Sequence, residues 1–221
     1  MVPIKTMLAH RANYGTKRGG PIEWLVMHYT ANDGDSGMSN ARYFQKALNP
    51  VASAHYFVDD REIVQSVPDE YVAFHCGAYK YRHPFCRNYN SIGIEMCDAK
   101  RDGRVMATDK TIDNAADLAA MLCEKYNIPV DHIIRHYDVT GKLCPKYWVD
   151  DPQGIVRFRN MVKERIEMVS KCKMIIDGKE IEVERILKDG TNYIKIRDIA
   201  KALDLEVSNK GNVPILNHKG G

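Results

Sequence analysis

The chain has 221 residues, of which 44% are hydrophobic and 28% charged, a composition typical of a soluble globular protein of one or two domains. Its formal charge is +3, from 32 basic and 29 acidic side chains, which is too small an imbalance to imply nucleic-acid binding. No run of about 18 apolar residues occurs, so no membrane insertion is expected.

The first strong signal is the apolar run Ile22-Glu23-Trp24-Leu25-Val26-Met27-His28, short enough for a buried strand that ends on His28. A polar loop from Thr30 to Gly37 follows. Met38 to Leu48 reads as a helix, with Ala41, Phe44, Gln45 and Leu48 at helical spacing and Asn49-Pro50 as its stop. Ala54 to Val58 and Glu62 to Val67 are strand-like and flank a charged turn, which predicts a hairpin. Tyr71 to Asn90 has no clear period and reads as a long surface loop. Ser91 to Cys97 is a further apolar strand. Thr108 to Tyr126 is the clearest helix, with Ile112, Ala115, Ala119, Leu122 and Tyr126 on one face and Thr108 or Asp109 as cap. His132 to His136 is a short strand. Asp151-Pro152 opens a helix that is expected to run to about Lys171, turning Ile155, Phe158, Val162, Ile166 and Val169 inward.

The pattern changes near Lys171, and two domains are expected, 1–172 and 173–221. The second carries short β-type runs (Met174 to Ile176, Ile181 to Ile186, Tyr193 to Ile196), a helix from Arg197 to Leu203, and turns at Asp177-Gly178 and Asp189-Gly190. The tail from Asn217 to Gly221 reads as frayed. The N-terminus has no apolar segment of the secretory type, so synthesis as a cytoplasmic species is expected. Six cysteines are present without a Cys-x-x-Cys pair, and a disulfide framework is not expected; Cys97 and Cys123 read as small buried hydrophobes.

His28, His136 and Cys144 are the candidate metal ligands. Two imidazoles and a thiolate suit zinc, and three protein ligands leave a fourth position for water. Singly each is ambiguous, because a histidine at a strand end is commonly structural and a loop cysteine is commonly inert. Glu95 interrupts the apolar strand Ser91-Ile92-Gly93-Ile94-Glu95-Met96-Cys97. It is either a solvent-facing residue of an edge strand or a general base beside the metal. Lys142 is either a solvated loop residue or an oxyanion donor.

The segments Trp24-Leu25-Val26-Met27-His28-Tyr29-Thr30-Ala31-Asn32, Ser53-Ala54-His55-Tyr56-Phe57-Val58, Ala73-Phe74-His75-Cys76-Gly77, Asn90-Ser91-Ile92-Gly93-Ile94-Glu95 and Arg135-His136-Tyr137-Asp138-Val139-Thr140-Gly141-Lys142-Leu143-Cys144-Pro145 occur in one order. In this the chain resembles the type 2 N-acetylmuramoyl-L-alanine amidases, which share a fold with peptidoglycan recognition proteins and many phage endolysins. The resemblance implies an α/β fold, a mixed central β-sheet flanked by helices, followed here by a small α+β C-terminal domain. It implies Zn2+ bound by His28, His136 and Cys144, with Glu95 and Lys142 catalytic. His55 and His75 either line the substrate groove or are hydrogen-bonded structural residues. Cys76 stands where the family usually has a small residue, which leaves a thiol near the expected cleft. The segment from residue 174 resembles the small domain found at the N-terminus of copper amine oxidases and in bacterial surface proteins, carried by Ile176-Asp177-Gly178-Lys179, Leu187-Lys188-Asp189-Gly190 and Tyr193-Ile194-Lys195-Ile196-Arg197-Asp198-Ile199-Ala200-Lys201-Ala202-Leu203. Wall attachment and self-association as a homodimer are its two expected roles.

The implied partner is bacterial peptidoglycan, with no nucleic acid. The implied activity is that of an endolysin that reaches the wall after release by a separate protein. The rivals are a recognition protein that binds peptidoglycan without cutting it, disfavoured by Cys144, and a cytosolic amidase that recycles wall fragments, disfavoured by Cys144 and the added tail.

Overall fold

The computed structural model describes residues 2–101, 103–167, 170–188, 191–211 and 213–218. The expected turn at Asp189-Gly190, the inward-facing Val169 and the last three residues of the tail lie outside the described residues. In chain order the elements are β1 (Ile4–Thr6), β2 (Tyr14–Lys17), β3 (Trp24–Tyr29), α1 (Gly37–Tyr43), β4 (Tyr56–Val58), β5 (Ile63–Gln65), β6 (Tyr71–Ala73), β7 (Ser91–Met96), β8 (Asp98–Arg101), β9 (Arg104–Ala107), α2 (Asp109–Tyr126), β10 (Ile133–Arg135), α3 (His136–Thr140), α4 (Lys146–Asp150) and α5 (Gln153–Ile166). Beyond these come β11 (Ser170–Ile176), β12 (Lys179–Lys188), β13 (Thr191–Ile194), α6 (Ile196–Ala202), β14 (Leu205–Lys210) and β15 (Val213–His218). The chain divides into two units, Met1–Arg165 and Ile166–Gly221.

The first unit is built on a six-stranded mixed sheet of order β1-β5-β4-β7-β3-β10. Strands β4, β7, β3 and β10 are mutually parallel, while β5 turns back antiparallel to β4 as the expected hairpin. Strands β3 and β7 have neighbours on both sides, which explains why they read as near-continuous apolar runs. Alternate residues of each strand point to opposite faces. Leu25, Met27, Ile92 and Ile94 are fully buried and share the face of Tyr56 and Val58. That face is covered by α2, whose Tyr126 hydroxyl reaches Asp69 Oδ2 (2.7 Å) while Tyr56 donates to Asp69 Oδ1 (2.6 Å). The opposite face carries His28, Phe57 and Glu95 and packs against α1, where Ala41, Ala54, Phe57 and Val64 form one cluster. Helix α2 is capped as expected, with Thr108 Oγ1 accepting from the Thr111 amide (3.0 Å), and it ends at Asn127 in the left-handed region.

Several boundaries differ from the sequence expectation, each for a long-range reason. Helix α1 stops at Tyr43, not Leu48, because the Asn13 side chain donates to the Phe44 and Lys46 carbonyls and accepts from the Leu48 amide. The stretch from Tyr71 to Asn90 is not all loop: Tyr71–Ala73 forms β6 and pairs with β2, a polar strand without the alternation that betrays one. The strand before His136 ends at Arg135, because Asp138 accepts from the Arg135 amide (2.9 Å) and opens α3 there. Helix α5 ends at Ile166, since Ser170–Ile176 pairs in an antiparallel ladder with β12. The division between units thus falls ahead of residue 172, which lies inside β11.

The second unit contains a three-stranded antiparallel sheet β11-β12-β13, a hairpin β14-β15 and helix α6, with Val183 and Ala200 buried. Its first hairpin turns on Asp177 (φ 49°) and Gly178 (φ 76°), the double positive φ of a two-residue turn whose twist matches the strands. Among the described residues no helix is long and apolar enough to cross a membrane.

Candidate metal centre and cleft

The register of three parallel strands assembles the site. His28 of β3 is paired with Glu95 of β7, and β10 pairs with β3 so that Arg135 lies beside Met27 and His136 follows beside His28. His136, His28 and Glu95 therefore stand in a row at the carboxyl ends of adjacent strands, where open α/β sheets characteristically bind ligands. Arg135 fixes the start of α3: its guanidinium grips Asp138 through Nε (3.0 Å) and Nη2 (2.7 Å), and Nη1 donates to the Trp148 carbonyl (2.8 Å). The chain then turns at Gly141 (φ 87°) and returns Cys144 to the row, with the Tyr137 amide donating to the Cys144 carbonyl (2.9 Å).

His28, His136 and Cys144 are all buried, and one ligand atom from each lies within 4.8 Å of the others. Cys144 Sγ is 3.8 Å from His28 Nδ1, which is itself 3.9 Å from Glu95 Oε1. His136 Nδ1 and Glu95 Oε2 are buried without a hydrogen-bond partner among the described residues. A buried polar atom left without a partner is costly, and a cation bound at His136 Nδ1 removes that cost there. Burial also drives the His28 pKa well below the imidazole norm, with His136, His75 and Lys142 adding to the effect. Burial, then Lys142 and His75, takes His136 down to about 3. Both rings are thus neutral and offer a lone pair at pH 7. Burial pushes the Cys144 thiol up to about 12, with Glu95 adding to the rise, so the thiol stays protonated until a cation draws off its proton. The donor set fits a tetrahedral zinc ion with one open position.

The three candidate ligands sit in the wall of a cleft of about 750 Å³ that also takes in Tyr29, Asn32, Asp35, Tyr43, Phe74, Glu95 and Lys142. Burial raises the Glu95 carboxyl to about 8, against the opposing pull of Lys142. A carboxyl poised near neutrality at a cleft wall has the tuning of a proton shuttle. Lys142 is exposed at the rim.

The structure places His55 and His75, whose roles the sequence leaves open, differently. His55 does not line the cleft: it is fully buried, with Nδ1 accepting from the Gly93 amide (3.0 Å) and Nε2 against the Tyr71 carbonyl (3.1 Å). It ties β7 to the chain around β4 and β6, and so takes the structural alternative. His75 does reach the cleft wall, but both its ring nitrogens are occupied, Nδ1 by His28 and Nε2 by Ser91. The Cys76 thiol is not in the cleft either. It is buried in a cluster with Val26, Cys86, Ile134 and Val139. Ser91 and Gly93 escaped the sequence reading, although the two-residue period of β7 puts both on the face of Glu95.

Residues 18–147 match the family model described as N-acetylmuramoyl-L-alanine amidase. The chain is 34% identical over 200 residues to the N-acetylmuramoyl-L-alanine amidase CwlL of Bacillus licheniformis, covering 86% of this chain and 54% of that protein. It is 37% identical over 165 residues to the N-acetylmuramoyl-L-alanine amidase BlyA of Bacillus subtilis (strain 168), covering 69% of this chain and 44% of that protein. The chain thus spans about half the length of the curated relatives it matches. A solved mutant endolysin from Bacillus subtilis superimposes with a TM-score of 0.57 at 27% identity, covering 73% of this chain and 99% of that one.

Proposed function

Because the chain belongs to the N-acetylmuramoyl-L-alanine amidase family, we propose that it is a zinc-dependent amidase that hydrolyses the bond between the lactyl group of N-acetylmuramic acid and the first L-alanine of the peptidoglycan stem peptide, and that it acts as an endolysin. The single observation that carries the zinc reading is the buried trio His28, His136 and Cys144 with an unpartnered Nδ1 on His136. Zinc, when bound, supplies Lewis acidity toward the scissile carbonyl and toward a water molecule. Glu95 takes a proton from the attacking water and passes it to the departing amine of L-alanine, a role supported by its place beside His28 and its carboxyl near 8. The Lys142 ammonium at the rim stabilises the oxyanion of the tetrahedral intermediate. The small C-terminal unit holds the enzyme at the insoluble wall, by touching it or by pairing two chains, which raises the effective concentration of the catalytic unit.

The test is metal analysis together with turnover of a soluble muropeptide. One zinc per chain is expected, with loss of turnover on chelation and recovery on adding zinc. Cys144→Ala should lose the metal, since three ligands leave no spare. Full zinc occupancy in Cys144→Ala overturns the ligand assignment.

A further inference from the structure

Behind the candidate ligands runs a line of hydrogen bonds that the catalytic chemistry does not use. His28 Nε2 lies 3.0 Å from His75 Nδ1, His75 Nε2 lies 3.1 Å from Ser91 Oγ, and Ser91 Oγ lies 2.6 Å from the Arg87 carbonyl oxygen. The far end fixes the direction of every bond. A carbonyl oxygen only accepts, so the Ser91 hydroxyl donates its one proton to Arg87. Its oxygen is then left to accept, so His75 carries its proton on Nε2. With that proton on Nε2, His75 turns Nδ1 to His28 Nε2 at 3.0 Å, where it accepts from Nε2–H of His28. A neutral His28 with its proton on Nε2 has a bare Nδ1, the atom that faces Cys144 and Glu95.

We propose that His75, anchored by Ser91 and the Arg87 carbonyl, is the positioning residue that holds His28 in the one tautomer and orientation able to ligate through Nδ1. A second, independent feature pins the His75 ring. A Cβ built on Gly93 would lie 2.5 Å from His75 Cγ and 2.7 Å from Nδ1, so the ring rests directly on the bare backbone of β7. The His55 ring meets it in an edge-to-face contact at 5.6 Å between centroids. The backbone on either side of the ring is held as well, since the amides of His75 (3.2 Å) and Cys76 (2.8 Å) both donate to Asn88 Oδ1. A flip or slide of the ring would break its bonds to His28 and Ser91. Such partners of ligating histidines typically account for about 10–100-fold in metal affinity.

This inference rests on the zinc reading of the cleft, and its test is arranged so that the two fail separately. In zinc-free native protein, long-range proton–nitrogen NMR correlations read the His28 tautomer without any metal or mutation. The expected signature is a single tautomer protonated on Nε2; protonation on Nδ1, or exchange between the two, overturns the proposal whatever the protein does with zinc. The companion measurement uses two isosteric variants, His75→Leu and His75→Asn, which differ in whether an acceptor remains near the position of Nδ1. Zinc affinity measured by competition with a chromophoric chelator should fall about 10–100-fold in His75→Leu and recover most of that loss in His75→Asn. Equal affinities in the two variants overturn the proposal. Loss of zinc in Cys144→Ala with an intact His28 tautomer supports both readings. Retention of zinc in Cys144→Ala with the same tautomer leaves the hydrogen-bond line standing and removes only the ligand set.

Discussion

Gly93→Ala adds one methyl group at a position whose backbone alanine tolerates, so its whole effect comes from what the methyl meets. The new Cβ would stand 2.5 Å from His75 Cγ, 2.7 Å from Nδ1 and 2.9 Å from Cδ2. Carbon atoms rest about 3.5–4.0 Å apart, so ring or strand must give way by about 1 Å. The ring is tied at 3.0 Å to His28 and at 3.1 Å to Ser91, and a displacement of that size bends both bonds out of line. Overpacking costs about 1–3 kcal/mol and the two weakened bonds together about 1 kcal/mol, while removing a glycine from a strand returns about 0.5–1 kcal/mol, leaving a net loss of about 1–3 kcal/mol. Urea unfolding of the zinc-free protein, followed by the fluorescence of Trp24 and Trp148, measures it. A loss below about 0.5 kcal/mol would show that the ring is not seated on Gly93, and the account of the layer beneath His28 would fail.

Glu95→Ala should retain zinc and fold while losing about 100–10,000-fold in turnover of soluble muropeptide, and Lys142→Ala about 100–1,000-fold; near-native rates remove the residue from the mechanism. The raised Glu95 carboxyl also predicts a pH trend in the zinc-free protein. Between about pH 7.5 and 8 His28, His55 and His136 are neutral in the folded state and largely neutral in the unfolded chain, while the folded state keeps on Glu95 a proton that the unfolded chain has released. Stability should therefore fall as pH rises through that window, with Asp98, raised to about 7 chiefly by burial, contributing in the same direction. Glu95→Gln should flatten the trend in urea midpoints, and an unchanged slope would place the titration elsewhere. A chain ending at Glu167 should fold, bind zinc and cleave soluble muropeptide, yet lyse intact walls more slowly. Loss of soluble cleavage would assign the second unit to the catalytic core.

The elements that carry the site were legible because interior strands announce themselves. Trp24–Tyr29 and Ser91–Met96 are apolar runs interrupted by His28 and Glu95, and only a functional or paired group belongs at such a point. The capped, amphipathic helix at Asp109–Tyr126 was equally plain. What escaped depends on residues far apart in sequence. Asn13 ends α1 from about thirty residues away, a reach no local period encodes. The β2–β6 and β14–β15 pairs are largely exposed strands without clean alternation. The two roles open to His55 and His75 could not be separated by sequence, because both histidines sit in similar apolar-aromatic surroundings. The cleft separates them in the fold, since His75 reaches its wall between Ser91 and His28 while His55 does not line it.

The most direct test of the central claim is the chemistry of the ends that the zinc-loaded enzyme creates in purified peptidoglycan. Labelling of new amino groups and of new reducing sugars, followed by mass analysis of the fragments, reads which bond was cut. The account predicts newly exposed α-amino groups on L-alanine, matched by N-acetylmuramic acid carrying a free lactyl carboxyl, with no rise in reducing ends. New reducing ends, or new amino groups on any other stem residue, would contradict it.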